Sequence, residues 1–441
     1  MWLRAVALAG VLAGCAARLP PPRVVHADAA RDDQCRQFLA DLPADVQRGW
    51  LEVPEDPDDP RSPRLRLFYF GRYSRAPDAP LPALVFHGGP GGESSTYYEW
   101  MHALFEERKI PYLLFDQRGA GCSTRYPALT AASAGRYAFY GSRQTVRDAE
   151  ALRRELFGQR PWRVVFGHSF GAKVALRYVA DVPRSVERVV IAGDSVPDEG
   201  SVVCALREQI TRNRAAFSAA FAARADLGPL VLRLERELST VCYTDAAGFV
   251  RVCGLDLLGW MGTDLSPADA TWLAVALGTL QRNGAVDWKI VDTVAQSAWR
   301  VVDARVMLVV IQDYPLFLDG RSTCTRALAE APPTPGGAPR AFGFCDLQRN
   351  IDSLPRRLRA AGPLLTWTAV RRGLAANPAL TVLELHGDDD ERDPRYAACP
   401  PRAADRPTEA SPMPRWTTVN IPHMDHSRVL AYPPLYDALA P

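Results

Sequence analysis

Lysine is nearly absent from this chain. Its 52 basic residues include only Lys109, Lys173 and Lys289 as lysines, and the rest are arginine. Acidic residues number 50, so the formal net charge is only +2. That balance leaves no electrostatic case for a nucleic acid or an acidic polymer as partner. The arginine excess, with abundant alanine and proline, reads as a base-composition bias of the gene rather than a basic surface. Metal patterns are missing too: no C-x-x-C pair and no His/Cys cluster has zinc spacing, so neither a metal nor a cofactor is expected. No stretch approaches the roughly twenty apolar residues of a membrane-crossing helix. What remains is a globular composition, 47% apolar and 23% charged, which argues against wholesale disorder.

The N-terminus is the first positive signal. Arg4 precedes an apolar run from Ala5 to Ala13, too short to span a bilayer but suited to an export signal. The run ends in Leu12-Ala13-Gly14-Cys15, which resembles the bacterial lipobox. Residues 1–15 are therefore expected to be a lipoprotein signal peptide, with Cys15 lipidated. Acyl chains bury at about 0.8 kcal/mol per methylene, so several of them hold a protein on a membrane without a spanning helix. The expected location is the cell envelope, outside the cytoplasm, with the membrane engaged through the lipid anchor only. Cysteine usage agrees. Nine cysteines less Cys15 leave an even eight, which in an exported chain suggests up to four disulfides. Cys242 and Cys253 flank a turn-like segment, and Cys324 and Cys345 bracket a Pro/Gly-rich stretch, so these two pairs are plausible bridges.

Residues 16–45, with Pro20-Pro21-Pro22 and scattered charge, read as a tether. Short apolar runs then alternate with helical patterns over 46–196. Leu65–Phe70, Ala83–Phe86, Tyr112–Phe115, Arg163–Phe166 and Val189–Ala192 are expected strands. Thr145–Phe157 and Ala172–Ala180 are expected helices. Continuous apolar strands between helices indicate a buried parallel sheet. The alternation stops over 197–375, where long Ala/Arg/Leu-rich segments read as helices, and returns over 376–441 with strands at Thr381–Leu385 and Trp416–Val419. The expected architecture is thus one α/β fold, a mostly parallel central sheet flanked by helices, with a large helical cap insertion at 197–375.

Gly167-His168-Ser169-Phe170-Gly171 fits G-x-S-x-G between a strand and a helix, as α/β-hydrolase chemistry requires. The sharp turn lifts the serine hydroxyl clear of the backbone, and the N–H of Phe170 can face the substrate oxygen. Upstream, His87-Gly88-Gly89-Pro90-Gly91-Gly92 follows a strand but lacks the Gly-Lys-Ser/Thr end of a phosphate loop. With an elbow downstream it reads as an oxyanion loop, and because Pro90 cannot donate, Gly89 is the expected donor beside Phe170. Of the seven histidines, only His423 and His426 follow the late strands where a base belongs. His426 is favoured; His87 and His386 read as structural, and His168 lies inside the elbow. The acid should follow the strand ending at Leu385, and the residue three beyond Gly387 is Asp390. Asp194 is the outside candidate.

The oxyanion loop, Asp116-Gln117-Arg118-Gly119-Ala120-Gly121-Cys122-Ser123 and the elbow together resemble the proline iminopeptidase family of α/β-hydrolases, closest to its secreted prolyl/tripeptidyl aminopeptidase-like branch. Asp148 and Glu150, in the helix before the elbow, fit the same family, as does the spacing of Asp390 and His426-Ser427. The resemblance covers roughly 80–195 and 380–430. It implies an exported serine peptidase that removes N-terminal residues from short peptides through a Ser169–His426–Asp390 triad. Family aminopeptidases hold the substrate amine with cap carboxylates, for which Glu199, Asp313, Glu235 and Glu237 are possible counterparts here; Glu93 is a further acid beside the oxyanion loop. The alternatives are a carboxylesterase or amidase acting on a non-peptide substrate, and a non-catalytic envelope lipoprotein of the same fold.

Overall fold

The computed structural model describes residues 23–25, 27–130, 132–194, 196, 364–388, 390, 413 and 415–440, with scattered short stretches between 203 and 329. The signal and lipobox residues lie outside these, as do Glu199, Glu235, Cys324, Cys345 and Cys399. Eight strands form one sheet: β1 (Gln47–Pro54), β2 (Arg64–Arg72), β3 (Ala83–Phe86), β4 (Tyr112–Phe115), β5 (Trp162–His168), β6 (Val186–Ala192), β7 (Thr381–Gly387) and β8 (Trp416–Ile421). Their spatial order is β1-β2-β4-β3-β5-β6-β7-β8. β1 pairs antiparallel with β2, and β2 antiparallel with β4. Every other neighbouring pair is parallel. This is the mostly parallel α/β-hydrolase sheet.

The continuous apolar strands are explained by burial on both faces. Leu84, Phe86, Leu113, Phe115, Val165, Val189 and Ile191 point into one core cluster. Their neighbours Ala83, Val85, Tyr112, Leu114, Val164, Phe166, Val190 and Ala192 point into the other. That alternation is the period-two geometry of a strand, with both faces dry. The first cluster is closed by α3 (Ser142–Phe157), α4 (Phe170–Asp181) and α6 (Trp367–Ala376), and the second by α2 (Ser94–Glu107) and α7 (Pro433–Leu439). In α3 the buried Val146, Ala149, Leu152 and Leu156 recur every three or four residues, one stripe of a helix. Thr366 caps α6 by accepting the N–H of Ala369 at 3.2 Å, a contact typically contributing about 1 kcal/mol. Because Trp367, Val370 and Leu374 of α6 pack in the first cluster, the core resumes before residue 376.

The stretch read as a tether is in part folded. Ala27–Asp41 forms α1, whose Phe38 meets Phe70 and Tyr98 edge-on at ring-centroid distances of 5.1 and 6.2 Å. Cys35 of α1 is bonded to Cys122 across 87 residues. Neither residue belongs to the two pairs that proximity suggested. Cys242 and Cys253 do stand opposite each other in an antiparallel pair of short strands, and Cys204 and Cys242 are each disulfide-bonded. Within the insertion, α5 (Ala304–Asp313) joins α1 through Arg305, which holds both carboxylate oxygens of Asp28 at 2.8 Å. Among the described residues no helix is long and apolar enough to cross a membrane.

Candidate active site

Ser169 stands between β5 and α4 with φ 55° and ψ −128°, a conformation most side chains avoid. Its flanking glycines are required by space. A Cβ on Gly167 would lie 2.1 Å from the carbonyl oxygen of Gly171, and one on Gly171 would lie 2.1 Å from that of Phe86. No side chain fits at either position, so the elbow turns tightly and leaves Ser169 partly exposed. The Ser169 N–H donates to Ala192 at 2.9 Å, which ties the elbow to the end of β6.

His426 lies on the loop after β8 and is 8% exposed, whereas the competing His423 is exposed at the surface. The His426 Nδ1 is 3.0 and 3.1 Å from the two carboxylate oxygens of Asp390, which is 2% exposed. A Cβ on the next residue after Ala192, Gly193, would come within 2.9 Å of the His426 ring. The imidazole is thus packed on the strand end to which Ser169 is bonded. Asp194 is engaged elsewhere, accepting from Lys173 at 2.8 Å in a buried ion pair. His426 is therefore paired with Asp390 and packed against the strand end that accepts the Ser169 N–H, while Asp194 is committed to Lys173 and His423 faces solvent.

The glycine loop lies against the same serine. Gly88 is so close that a Cβ there would sit 2.9 Å from Ser169 Cβ. Gly89 is exposed, with φ 122°, and Phe170 begins α4 directly after the serine. The Asp-Gln-Arg-Gly element after β4 braces this loop at both ends. At its start, the Gln117 amide donates to the carbonyl of His87 at 3.0 Å, and the Gln117 backbone N–H reaches the His87 Nε2 at 3.3 Å. At its end, Asp116 accepts the N–H of Ser94 at 2.8 Å with one carboxylate oxygen and that of Cys122 at 2.7 Å with the other. Burial pushes the His87 imidazole below its ordinary pKa, against the pull of Asp116. Neutral, its Nδ1–H donates to Gly88 while Nε2 accepts from Gln117.

Arg118 anchors the brace. Its guanidinium meets both oxygens of Asp148 at 2.6 and 2.8 Å, and the carbonyls of Pro54, Glu55 and Phe139 at 2.9, 2.5 and 3.0 Å. A guanidinium has five N–H donors, and all of them are used. Glu150, two residues after Asp148 in α3, pairs with Arg153 and accepts from Tyr178 at 2.6 Å.

The candidate amine-binding acids fare differently. Asp313 is 3% exposed and accepts from the Ser142 N–H at 2.8 Å and from the Ser142 hydroxyl, with Arg177 at 3.6 Å. It ties α5 to the start of α3 and to α4, so its oxygens are committed to structure rather than to a substrate amine. Burial pushes its carboxyl up, against Ser142 and Arg177. Glu93 caps the start of α2 without a side-chain capping bond and has Ser95 Oγ at 3.5 Å. It remains an acid at the end of the oxyanion loop. Sequence reasoning set His168 aside as part of the elbow and passed over Tyr97; the two are hydrogen-bonded to each other beside the His426 main chain. Nothing local signals a contact 258 residues apart.

The alpha/beta hydrolase fold family matches residues 82–247. The proline iminopeptidase of Aeromonas sobria is 31% identical over 216 residues, 46% of this chain and 48% of the relative. That of Xanthomonas citri is 35% identical over 112 residues, 25% of this chain and 32% of the relative. The chain thus spans about half the length of the first relative and about a third of the second. A crystal structure of proline iminopeptidase from Mycobacterium smegmatis aligns with 89% of this chain and 96% of its own at 15% identity and a TM-score of 0.41.

Proposed function

We propose that this chain, an α/β-hydrolase similar to the proline iminopeptidases, is a serine aminopeptidase acting on short peptides. The Ser169 Oγ attacks the carbonyl carbon of the scissile amide while His426 takes its proton, forming the Oγ–C bond. The backbone N–H groups of Gly89 and Phe170 stabilise the oxyanion, and Asp390 orients and stabilises the imidazolium. His426 then gives the proton to the leaving nitrogen as the C–N bond breaks. Water, with His426 again as base, hydrolyses the acyl-enzyme and restores the serine.

The observation that supports this reading is the buried Asp390–His426 pair, packed on the strand end that accepts the Ser169 N–H, together with the braced glycine loop against Ser169. The insertion would roof the site and restrict it to small substrates. A panel of aminoacyl and tripeptidyl chromogenic amides is the test, with Ser169→Ala as its blank. Release of chromophore from amides with a free N-terminal amine, lost in the blank, is expected. Hydrolysis of simple esters alone would sink the peptidase reading in favour of a carboxylesterase, a reading favoured by the commitment of Asp313 to Ser142 and Arg177. No reaction with a fluorophosphonate would leave a binding protein.

The reaction is further proposed to take place in the cell envelope, on a chain tethered through lipidated Cys15. The export-like N-terminus and the Cys35–Cys122 bond, which suits an oxidising compartment, support this. Incorporation of labelled palmitate that disappears in Cys15→Ala is the expected result; incorporation that persists in the variant refutes the anchor.

A further inference from the structure

We propose that His168, the residue before the elbow serine, is a positioning residue for His426, with Tyr97 fixing its tautomer. The proposal rests on the serine-hydrolase reading above and adds a second attachment for the base. The His168 Nε2 lies 2.6 Å from the carbonyl oxygen of His426. A carbonyl can only accept, so Nε2 carries the proton and donates. The His168 Nδ1 lies 2.6 Å from the Tyr97 hydroxyl. In the neutral imidazole that nitrogen is a lone pair, and it accepts the phenolic proton. The chain of donation therefore runs from Tyr97 through the His168 ring to the main chain of His426. All three residues are buried. The two imidazole rings lie 4.7 Å apart, and Gly193 permits the approach: a Cβ there would meet the His426 ring at 2.9 Å and the His168 Nε2 at 3.2 Å.

The division of labour follows from which atoms are held. Asp390 holds the His426 side chain at Nδ1 and so sets which way the ring faces. His168 holds the His426 carbonyl and so sets where the main chain stands. The turn around His426 has one side-chain brace of its own, Asp425 accepting the N–H groups of Ser427 and Arg428, and that brace lies at the exposed rim. His168, by contrast, is the last residue of β5, paired in register with Ala192 of β6. The same strand end therefore carries the nucleophile at its next residue and the tie to the base. A displacement of about 1 Å in such a pair can cost on the order of 100-fold in rate.

The test uses the full chain and a fluorophosphonate probe, with the reaction at Ser169 resolved into kinact and KI alongside thermal midpoints. His168→Met removes the donor, and His168→Gln keeps an amide N–H of similar reach. Tyr97→Phe removes one hydroxyl. The Met variant is expected to lose roughly 10- to 100-fold in kinact with KI nearly unchanged. The Gln variant should recover most of that loss at a thermal midpoint like that of Met, and Tyr97→Phe should lose several-fold. A Met variant that labels at the parental rate overturns the proposal, and so do Met and Gln variants that are equally slow. If the Met variant does not fold, a parental kinact in Tyr97→Phe overturns it instead. A parent chain that does not label refutes the serine-hydrolase reading and this proposal with it. A labelled parent with unaffected variants refutes this proposal alone.

Discussion

Removing the carboxylate of Asp148 should destabilise the chain far more than an ordinary ion pair would suggest. Exposed pairs are worth about 0–1 kcal/mol, but Arg118 and Asp148 are 1% and 2% exposed at their side chains. In Asp148→Ala the guanidinium stays buried with two of its five donors unpaired, because the three carbonyl bonds to Pro54, Glu55 and Phe139 survive. Breaking a buried pair in this way costs about 3–5 kcal/mol, against a typical total stability of about 5–15 kcal/mol. With a guanidinium chloride slope of roughly 4 kcal/mol per molar, the unfolding midpoint should fall by about 1 M. Pairing Asp148→Leu with Arg118→Met completes a double-mutant cycle. The double variant no longer buries an unpaired charge, yet it leaves three carbonyls without their donor, so it should remain less stable than the parent. A coupling of up to about 3 kcal/mol is expected between the two positions. Labelling by a fluorophosphonate should slow as well, because Gln117, the residue before Arg118, holds the start of the glycine loop. A loss below about 1 kcal/mol in Asp148→Ala, or additive single effects, would show that the pair is not an anchor.

Gly171→Ala should abolish labelling of Ser169 and lower stability, since the added methyl would lie 2.1 Å from the Phe86 carbonyl; a folded variant labelled at the parental rate would refute the close approach. Burial pushes the Glu150 carboxyl up, but Arg153, Tyr178 and Ser185 together hold it below its ordinary pKa. A carboxylate depressed on folding contributes stability above its unfolded pKa, and that contribution is lost as pH falls through the folded value. Glu150→Gln should therefore flatten the acid side of the stability–pH curve, and unchanged curvature would contradict the sign. Replacing Cys35 and Cys122 together by serine opens a loop of 87 residues, for which chain entropy gives an upper value of about 4–5 kcal/mol. Denaturant unfolding reads this directly, and an unchanged midpoint would mean that the other ties of α1, among them Phe38, Asp28–Arg305 and Asp32–Arg125, hold it without the bond.

The parts of the fold that were legible in the sequence are those whose reason is local. β3, β4, β5 and β6 are buried on both faces, so each reads as an unbroken apolar run. The elbow is legible because the turn demands glycine on both sides of Ser169. β1, one of the two edge strands, was passed over because only Val53 in it is buried and Gln47-Arg48-Gly49-Trp50-Leu51-Glu52 carries no strong alternation. The helix α1 was mistaken for a tether because its face is mostly polar. What holds it is non-local: Phe38 against rings from β2 and α2, Cys35 to Cys122, and Asp28 to Arg305. Asp313 was offered as a substrate contact on its sequence position alone, and three-dimensional packing commits it to Ser142 and Arg177 instead.

The Asp-Gln-Arg-Gly element, which carried the resemblance to a peptidase family, acts in this structure one layer behind the reaction. Gln117 and Asp116 hold the two ends of the oxyanion loop, and Arg118 fixes both to β1 and α3. Asp116 and Arg118 spend their polar atoms on the protein's own backbone or on a buried partner, and Gln117 spends its amide N–H on the carbonyl of His87. The element therefore braces the glycine loop beside Ser169, and under the proposed mechanism such a loop serves any acyl transfer that develops charge on a carbonyl oxygen. In the proposed reaction, choice of substrate then falls to residues outside this element, the role proposed for the insertion. A comparison of two such chains should accordingly find hydrolytic competence tracking residues 87–123 and 167–171, and preference among amides and esters tracking the insertion.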